Sequence, residues 1–153
     1  MIIDVQKLRP DGEWFEGDEP ASILELDADP SMRVAEPLHY RFFVQTVSGQ
    51  LVVNGTVAVT MQIQCGRCAD FFSTTVEESS FLRAYEISGS TETVDVTPDI
   101  REDILLRLPH FPVCSPNCKG LCPQCGTNLN NGSCNCRPPG DLRWNALDNV
   151  RLG

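Results

Sequence analysis

Eight cysteines carry the chemistry that this 153-residue sequence offers. Two form Cys65-Gly66-Arg67-Cys68, and six crowd into Cys114-x3-Cys118-x3-Cys122-x2-Cys125-x8-Cys134-x-Cys136. Two thiolates three residues apart can turn onto one ion when the residues between them make a tight turn, and tetrahedral zinc is the usual occupant. Cys122-Pro123-Gln124-Cys125-Gly126 reads as such a knuckle by itself. Pro123 presets one backbone dihedral and Gly126 permits the reversal after the second thiol. Cys134 and Cys136 complete a tetrahedron with Cys122 and Cys125, which leaves Cys114 and Cys118 for Cys65 and Cys68. The spacing thus predicts two Zn2+ sites of four thiolates each; a single zinc in the tail with spare thiols elsewhere is the alternative. Iron–sulfur ligation by the same thiols matches none of its common spacings. A redox dithiol at CGRC wants a helix after the first cysteine, whereas both flanks here look like strand.

The rest of the composition narrows the class. The first residues, MIIDVQKLRPDGEWF, lack the basic and apolar regions of a secretory signal and the Arg- and Ser-rich character of a transit peptide. Uninterrupted apolar runs reach only three residues, too short for a membrane span. The expectation is a cytoplasmic chain with reduced thiols that bind metal rather than pair as disulfides. The formal charge is −9 and unevenly spread. Residues 1–100 hold six Lys/Arg against 17 Asp/Glu, while 101–153 hold six against four.

Elements must position those thiols. Strands are predicted over 1–8, 22–26, Leu38–Val47 and 56–64, with an acidic loop over 11–20. In 56–64, Val57, Val59, Met61 and Ile63 alternate with Thr and Gln, the pattern of a half-buried antiparallel strand. Ser48-Gly49 signals a turn and Asn54-Gly55 a turn or bulge. Returning strands are read at 71–76 and 80–86, separated by Glu77-Glu78, so CGRC lies at a hairpin tip. A helix is expected from Thr97, with Thr97 as N-cap and Pro98 at its first position; Ile100, Ile104 and Leu108 form its apolar stripe, and Pro109 ends it. A second helix is read over 142–150. The fold class is α+β: a mostly antiparallel, curved or barrel-like sheet, one or two packed helices and a cysteine-rich zinc-binding tail. The organisation is a β-rich acidic body, 1–108, and a tail, 109–153.

Catalytic patterns are absent: no GxSxG, HExxH, P-loop or GxGxxG occurs, and adjacent carboxylates such as Glu77-Glu78 read as solvated faces. His39 reads as structural; His110, four residues before Cys114, could serve as a backup metal ligand, which Cys114 makes unnecessary. The chain is therefore expected not to be an enzyme. The stretch 105–136, LLRLPHFPVCSPNCKGLCPQCGTNLNNGSCNC, resembles the signature of the large ribosomal RNA subunit accumulation protein family (YceD-like). CKGLCPQCGTNLN, the CxC that follows and the upstream CxRC carry that resemblance, which extends over 55–152. It implies a non-enzymatic bacterial factor for the synthesis, processing or accumulation of 23S (large-subunit) rRNA. The implied partners are large-subunit rRNA or its precursor particles, met directly or through a basic ribosomal or assembly protein, with no membrane and no small-molecule substrate. Bottom-up, the RNA-facing candidates are Lys119, Arg137, Arg143 and Trp144, the last able to stack on a base. A module whose acidic body binds a basic protein is the competing reading.

Overall fold

The computed structural model describes residues 1–136. The helix expected over 142–150 lies outside the described residues, as do Arg137, Arg143 and Trp144. The order is β1 (Ile2–Asp4), β2 (Glu13–Glu19), β3 (Met32–Arg33), β4 (Leu38–Val47), β5 (Gln50–Gln64), β6 (Phe71–Glu86), β7 (Thr93–Asp95) and α1 (Thr97–Arg107). β2, β4, β5 and β6 lie side by side and antiparallel, and β3 pairs with the far end of β5. β1 and β7 form a separate small ladder. β2 and β6 do not pair among the described residues, so the sheet stays open and is not a barrel.

The hairpins follow from local chemistry. Ser48 and Gly49 both take positive φ, 50° and 81°, the values a two-residue turn needs to match strand twist. Gly55 has φ 151°, and a Cβ there would lie 2.0 Å from the Arg41 carbonyl oxygen, so only glycine fits beneath β4. Directly after it the register shifts: Gly55 faces Phe81 but Val57 faces Glu78, so Ser79 and Ser80 stand against Thr56 alone. That bulge bends the long strand.

One face of the sheet is the core wall. Leu51, Val53, Val57, Val59, Met61 and Ile63 of β5 are buried with Phe42 of β4 and Phe81 of β6, and α1 lays Ile100 and Ile104 onto them. Arg83 of β6 donates to Asp99 (3.2 Å) and Asp103 (2.5 Å), and the Tyr85 hydroxyl donates to Asp99 (2.6 Å), which fixes α1 across the strand.

Five expectations need correction. The strand expected over 1–8 is only Ile2–Asp4, because the Asp4 side chain accepts from the Gln6 amide and turns Val5–Lys7 into a 3-10 helix. The segment 11–20 contains strand β2 rather than a loop. Its charges at Glu16 and Asp18 point outward on an edge, while Phe15 packs inward, so the acidic composition hid an alternation. At 22–26 the chain makes a 3-10 turn, Ala21–Leu24, and Glu25 is left-handed with φ 52°. The two strands read at 71–76 and 80–86 are one. Glu78 points into the core, only 6% exposed, and does not break the strand because its charge is matched there. The Ser80 amide (2.6 Å) and hydroxyl (2.8 Å) donate to one carboxylate oxygen, and Arg107 Nε donates to the other (2.7 Å). Finally, Thr97 does not cap α1 with its side chain. Its hydroxyl engages the N-terminal amine, while Asp95 accepts from the Thr97 amide at 2.9 Å.

Candidate metal centre

The six-residue tip between β5 and β6 holds Cys65 and Cys68. The Cys65 amide donates to the Asp70 carbonyl (2.8 Å), and the Ala69 amide donates back to the Cys65 carbonyl (2.9 Å). Ala69 reverses the chain at φ 61°. At 122–127 the same pattern recurs. The Cys122 amide donates to the Thr127 carbonyl (2.8 Å), the Gly126 amide donates to the Cys122 carbonyl (2.9 Å), and Gly126 has φ 73°.

After α1 the chain is tied to the tip where the Gly66 amide donates to the Pro112 carbonyl (2.8 Å). This brings Cys114 and Cys118 against the first pair. Cys65 and Cys118 sulfurs are 3.9 Å apart, and those of Cys68 and Cys114 are 3.7 Å apart. The thiols of Cys65, Cys68, Cys114 and Cys118 form one group, and those of Cys122, Cys125, Cys134 and Cys136 a second; within each, all sulfurs lie within 4.8 Å of one another. Sulfurs at the corners of a tetrahedron around zinc, each about 2.3 Å from the ion, would be about 3.8 Å apart. A disulfide would require about 2.05 Å. The separations are those of sulfurs around a common ion, compatible with two four-cysteine metal sites.

The surroundings favour thiolate at Cys65, Cys118, Cys122 and Cys125 and oppose it at Cys68, Cys114, Cys134 and Cys136. Burial pushes the Cys65 thiol up, but the amides of Cys68, Cys114 and Arg67 donating to its sulfur outweigh that and hold it at about 6. The Asn130 amide group donates to Cys118 Sγ (3.4 Å) and lowers that thiol. The Asp70 amide lowers Cys68, yet burial and the neighbouring sulfurs of Cys65, Cys118 and Cys114 push it up to about 12. The second group divides alike. The Thr127 hydroxyl, 3.1 Å from Cys125 Sγ, helps hold Cys125 at about 6, while Cys125 itself, burial and Cys122 drive Cys136 up to about 12. Four thiols in one pocket cannot all ionise against one another, and a divalent cation is what relieves that repulsion.

The two groups are wired together. The Leu121 amide donates to the Arg67 carbonyl (3.0 Å), and Gly120, at φ 75°, lets the backbone pass where a Cβ would stand 3.1 Å from that oxygen. Arg67 donates to the carbonyls of Pro116 (3.2 Å) and Cys118 (3.3 Å), and Asn128 donates to Asp70 (2.6 Å). Lys119 is exposed beside this junction, its amide donating to Asn130 Oδ1 at 2.8 Å. With Asn130, Asn131 and Ser133 it lines a shallow recess of about 450 Å3. Arg67, Asn128, Asn130 and Thr127 were not singled out from sequence; only their positions inside CGRC and CGTNLN pointed to them. Neither histidine joins a thiol group: His39 pairs with Asp18 on the sheet surface, and His110 is exposed. No helix among the described residues is long and apolar enough to cross a membrane.

Residues 83–151 match the family described as large ribosomal RNA subunit accumulation protein YceD. An uncharacterized protein of Mycobacterium tuberculosis is 36% identical over 167 residues, spanning 96% of this chain and 79% of that one. The chloroplastic large ribosomal RNA subunit accumulation protein YCED homolog 1 of Zea mays is 50% identical over 51 residues, 33% of this chain and 17% of its own. Its Arabidopsis thaliana namesake is 36% identical over 59 residues, 38% of this chain and 18% of its own. No solved structure matches. The helix, the segment docked on the hairpin tip and six of the eight thiols all fall inside the matched stretch, and the chain belongs to the YceD family of large ribosomal RNA subunit accumulation proteins.

Proposed function

We propose that this protein is a non-enzymatic, cytoplasmic factor of bacterial ribosome biogenesis that supports 23S rRNA synthesis, processing or accumulation, and that each four-cysteine group holds one structural Zn2+. The family match over 83–151 carries the reading, because that stretch contains the whole second thiol group and half of the first. Zinc held by four protein thiolates has no open position for water or substrate, so it organises the chain and catalyses nothing. The body, 1–108, would supply the hairpin that carries Cys65 and Cys68, and the tail, 109–153, the remaining thiols and the RNA-facing groups.

Each such site adds four thiolates and one divalent cation, so the formal −9 becomes about −13 with both filled. Phosphate contacts need Lys and Arg, so an RNA contact on this protein is local. Lys119, beside a recess rich in Asn and Ser side chains, supports the tail as that place; Arg137, Arg143 and Trp144 are the tail's other candidates from sequence alone.

Two measurements test this. Elemental analysis of protein purified without chelator should find close to two zinc ions per chain; finding none removes the metal reading. Crosslinking and sequencing from a tagged strain should recover large-subunit precursor RNA. Lys119→Ala with Arg137→Ala and Arg143→Ala should collapse that recovery while thermal melting is unchanged. Unchanged recovery removes the direct RNA contact.

A further inference from the structure

The sheet has a second face. Opposite the core wall, the outward positions of β2, β4, β5 and β6 form cross-strand rows, and none of the described elements packs over them. One row runs Trp14, Phe43, Asn54, Leu82. Trp14 is 59% and Leu82 60% exposed, at the two ends of this row. The Trp14 and Phe43 rings touch, with centroids 5.4 Å apart. The next outward row begins Glu16, Arg41, Thr56, and the one beyond it runs Asp18, His39, Ala58, Glu77. Glu16, Asp18, His39 and Arg41 wall a shallow recess of about 440 Å3 over the small residues Thr56 and Ala58.

Charge and chemistry together select the occupant. The face carries the carboxylates Glu16, Asp18, Glu77 and Glu86 against two guanidinium groups, those of Arg33 and Arg41. Both guanidiniums lie over aromatic rings, Arg33 at 3.9 Å from the Phe71 centroid and Arg41 at 4.8 Å from that of Trp14. Arg41 Nε also reaches Glu16 at 3.6 Å. The face already shows how it receives a guanidinium: the cation over a ring, with a carboxylate beside it. A phosphate backbone would meet a surplus of like charge here. Trp and Arg are also the residues that most often anchor protein interfaces.

We infer that this open sheet face, centred on Trp14 and Phe43, is a docking surface for a basic, arginine-rich polypeptide segment. The inference stands on the sheet alone and does not depend on the RNA contact proposed for the tail. A protein with both surfaces could hold a basic protein and an RNA element at once.

The test uses the full, zinc-loaded chain and a fluorescein-labelled Arg-Gly repeat peptide at near-physiological salt. Glu16→Gln with Asp18→Asn should weaken peptide binding at least about tenfold, and Trp14→Ala at least about fivefold. All three side chains are exposed, and melting curves verify that the variants fold. A matched pair of substitutions off the sheet face, Glu92→Gln with Glu102→Gln, removes the same charge and should change binding less than about twofold. Equal weakening by both pairs would mean that net charge alone binds the peptide, and the inference fails. It fails equally if labelled single-stranded oligouridine crosslinks to Trp14 or Phe43, since RNA would then be the occupant.

Discussion

The turn at 65–70 and the turn at 122–127 run through the same two backbone hydrogen bonds and the same left-handed fifth residue. Their settings differ. The first caps two long strands and meets thiols 46 and 53 residues away along the chain, and three of its four cysteines are buried. The second finds its partners within the residues that immediately follow, and only Cys122 of its four is buried. An identical local device is thus used once as a long-range clamp and once as a self-contained knot. Loop-closure entropy grows with the logarithm of loop length, so crosslinking the longer loop constrains the unfolded chain by roughly 1 kcal/mol more than the shorter. The clamp also joins the β body to the segment after α1, so its loss should propagate.

The largest expected effect comes from removing one thiol of each group. If each group holds Zn2+ as proposed, Cys68→Ser should lower the free energy of unfolding by about 3 kcal/mol or more, because metal binding at the clamp is then folding energy for the whole body. Cys125→Ser should leave the body's urea transition within about 1 kcal/mol of wild type. Both variants should retain close to one zinc ion, and mild chelation of wild type should release the ion of the more exposed second group first. Equal loss of stability in the two variants would erase the distinction between clamp and knot.

The clamp has a second anchor at Glu78 and Arg107, which fixes the end of α1 just before the chain turns toward Cys114. Arg107→Ala leaves a buried carboxylate with only Ser80 as partner. Because Arg107 is half exposed, the expected loss is about 1–2 kcal/mol, below that of breaking a fully buried pair. The hydroxyl and amide of Ser80, then Arg107, hold the Glu78 carboxyl below its ordinary value of 4.5. A depressed carboxylate contributes stability that is present above its unfolded value and is lost as pH falls through the folded value. Glu78→Gln should therefore flatten the acid limb of stability below pH 4.5 relative to wild type. A double mutant with Cys68→Ser should be sub-additive if both anchors hold the same segment.

Much of this was legible in the sequence, and the failures have causes. The sequence predicts β4 with its observed ends, because aromatic and β-branched residues there meet an unambiguous turn at Ser48-Gly49. The division of cysteines into two groups followed from counting and from the knuckle at Pro123, and the structure brings the same fours together. β2 was missed because its outward positions are acidic, and composition spoke louder than period. From sequence Glu78 reads as solvated, because an ion pair across 29 residues leaves no local trace. The backbone amides and the Asn130 side chain that hold the thiolates are invisible to spacing rules for the same reason.

Asn130 makes the comparison sharper, since it sits in the loop of the second group but donates to Cys118 of the first. Asn130→Ala should weaken zinc retention by the clamp about tenfold, as loss of a hydrogen bond to a ligand commonly does. Competition with a chromophoric chelator would read this. A loss confined to the second group would show that the wiring between the groups carries no energy.

The smallest effects lie in the two turns themselves. Residue five of each reverses the chain at nearly the same φ, 61° for Ala69 and 73° for Gly126. A Cβ in that region costs roughly 1 kcal/mol, offset in part by the extra freedom glycine has when unfolded. Ala69→Gly should therefore stabilise the protein by about 0.5 kcal/mol in urea melts. Gly126→Ala has open space for its Cβ, so the strain is conformational alone, and it should cost about 0.5 kcal/mol by the same balance. Because the second group is self-contained, that loss should appear as weaker zinc retention there and not as a shift in the body's transition. A clamp that tolerates alanine at this position and a knot that uses glycine are then explained together: the long strands and the buried thiols over-determine the first turn, while the second depends on its own backbone.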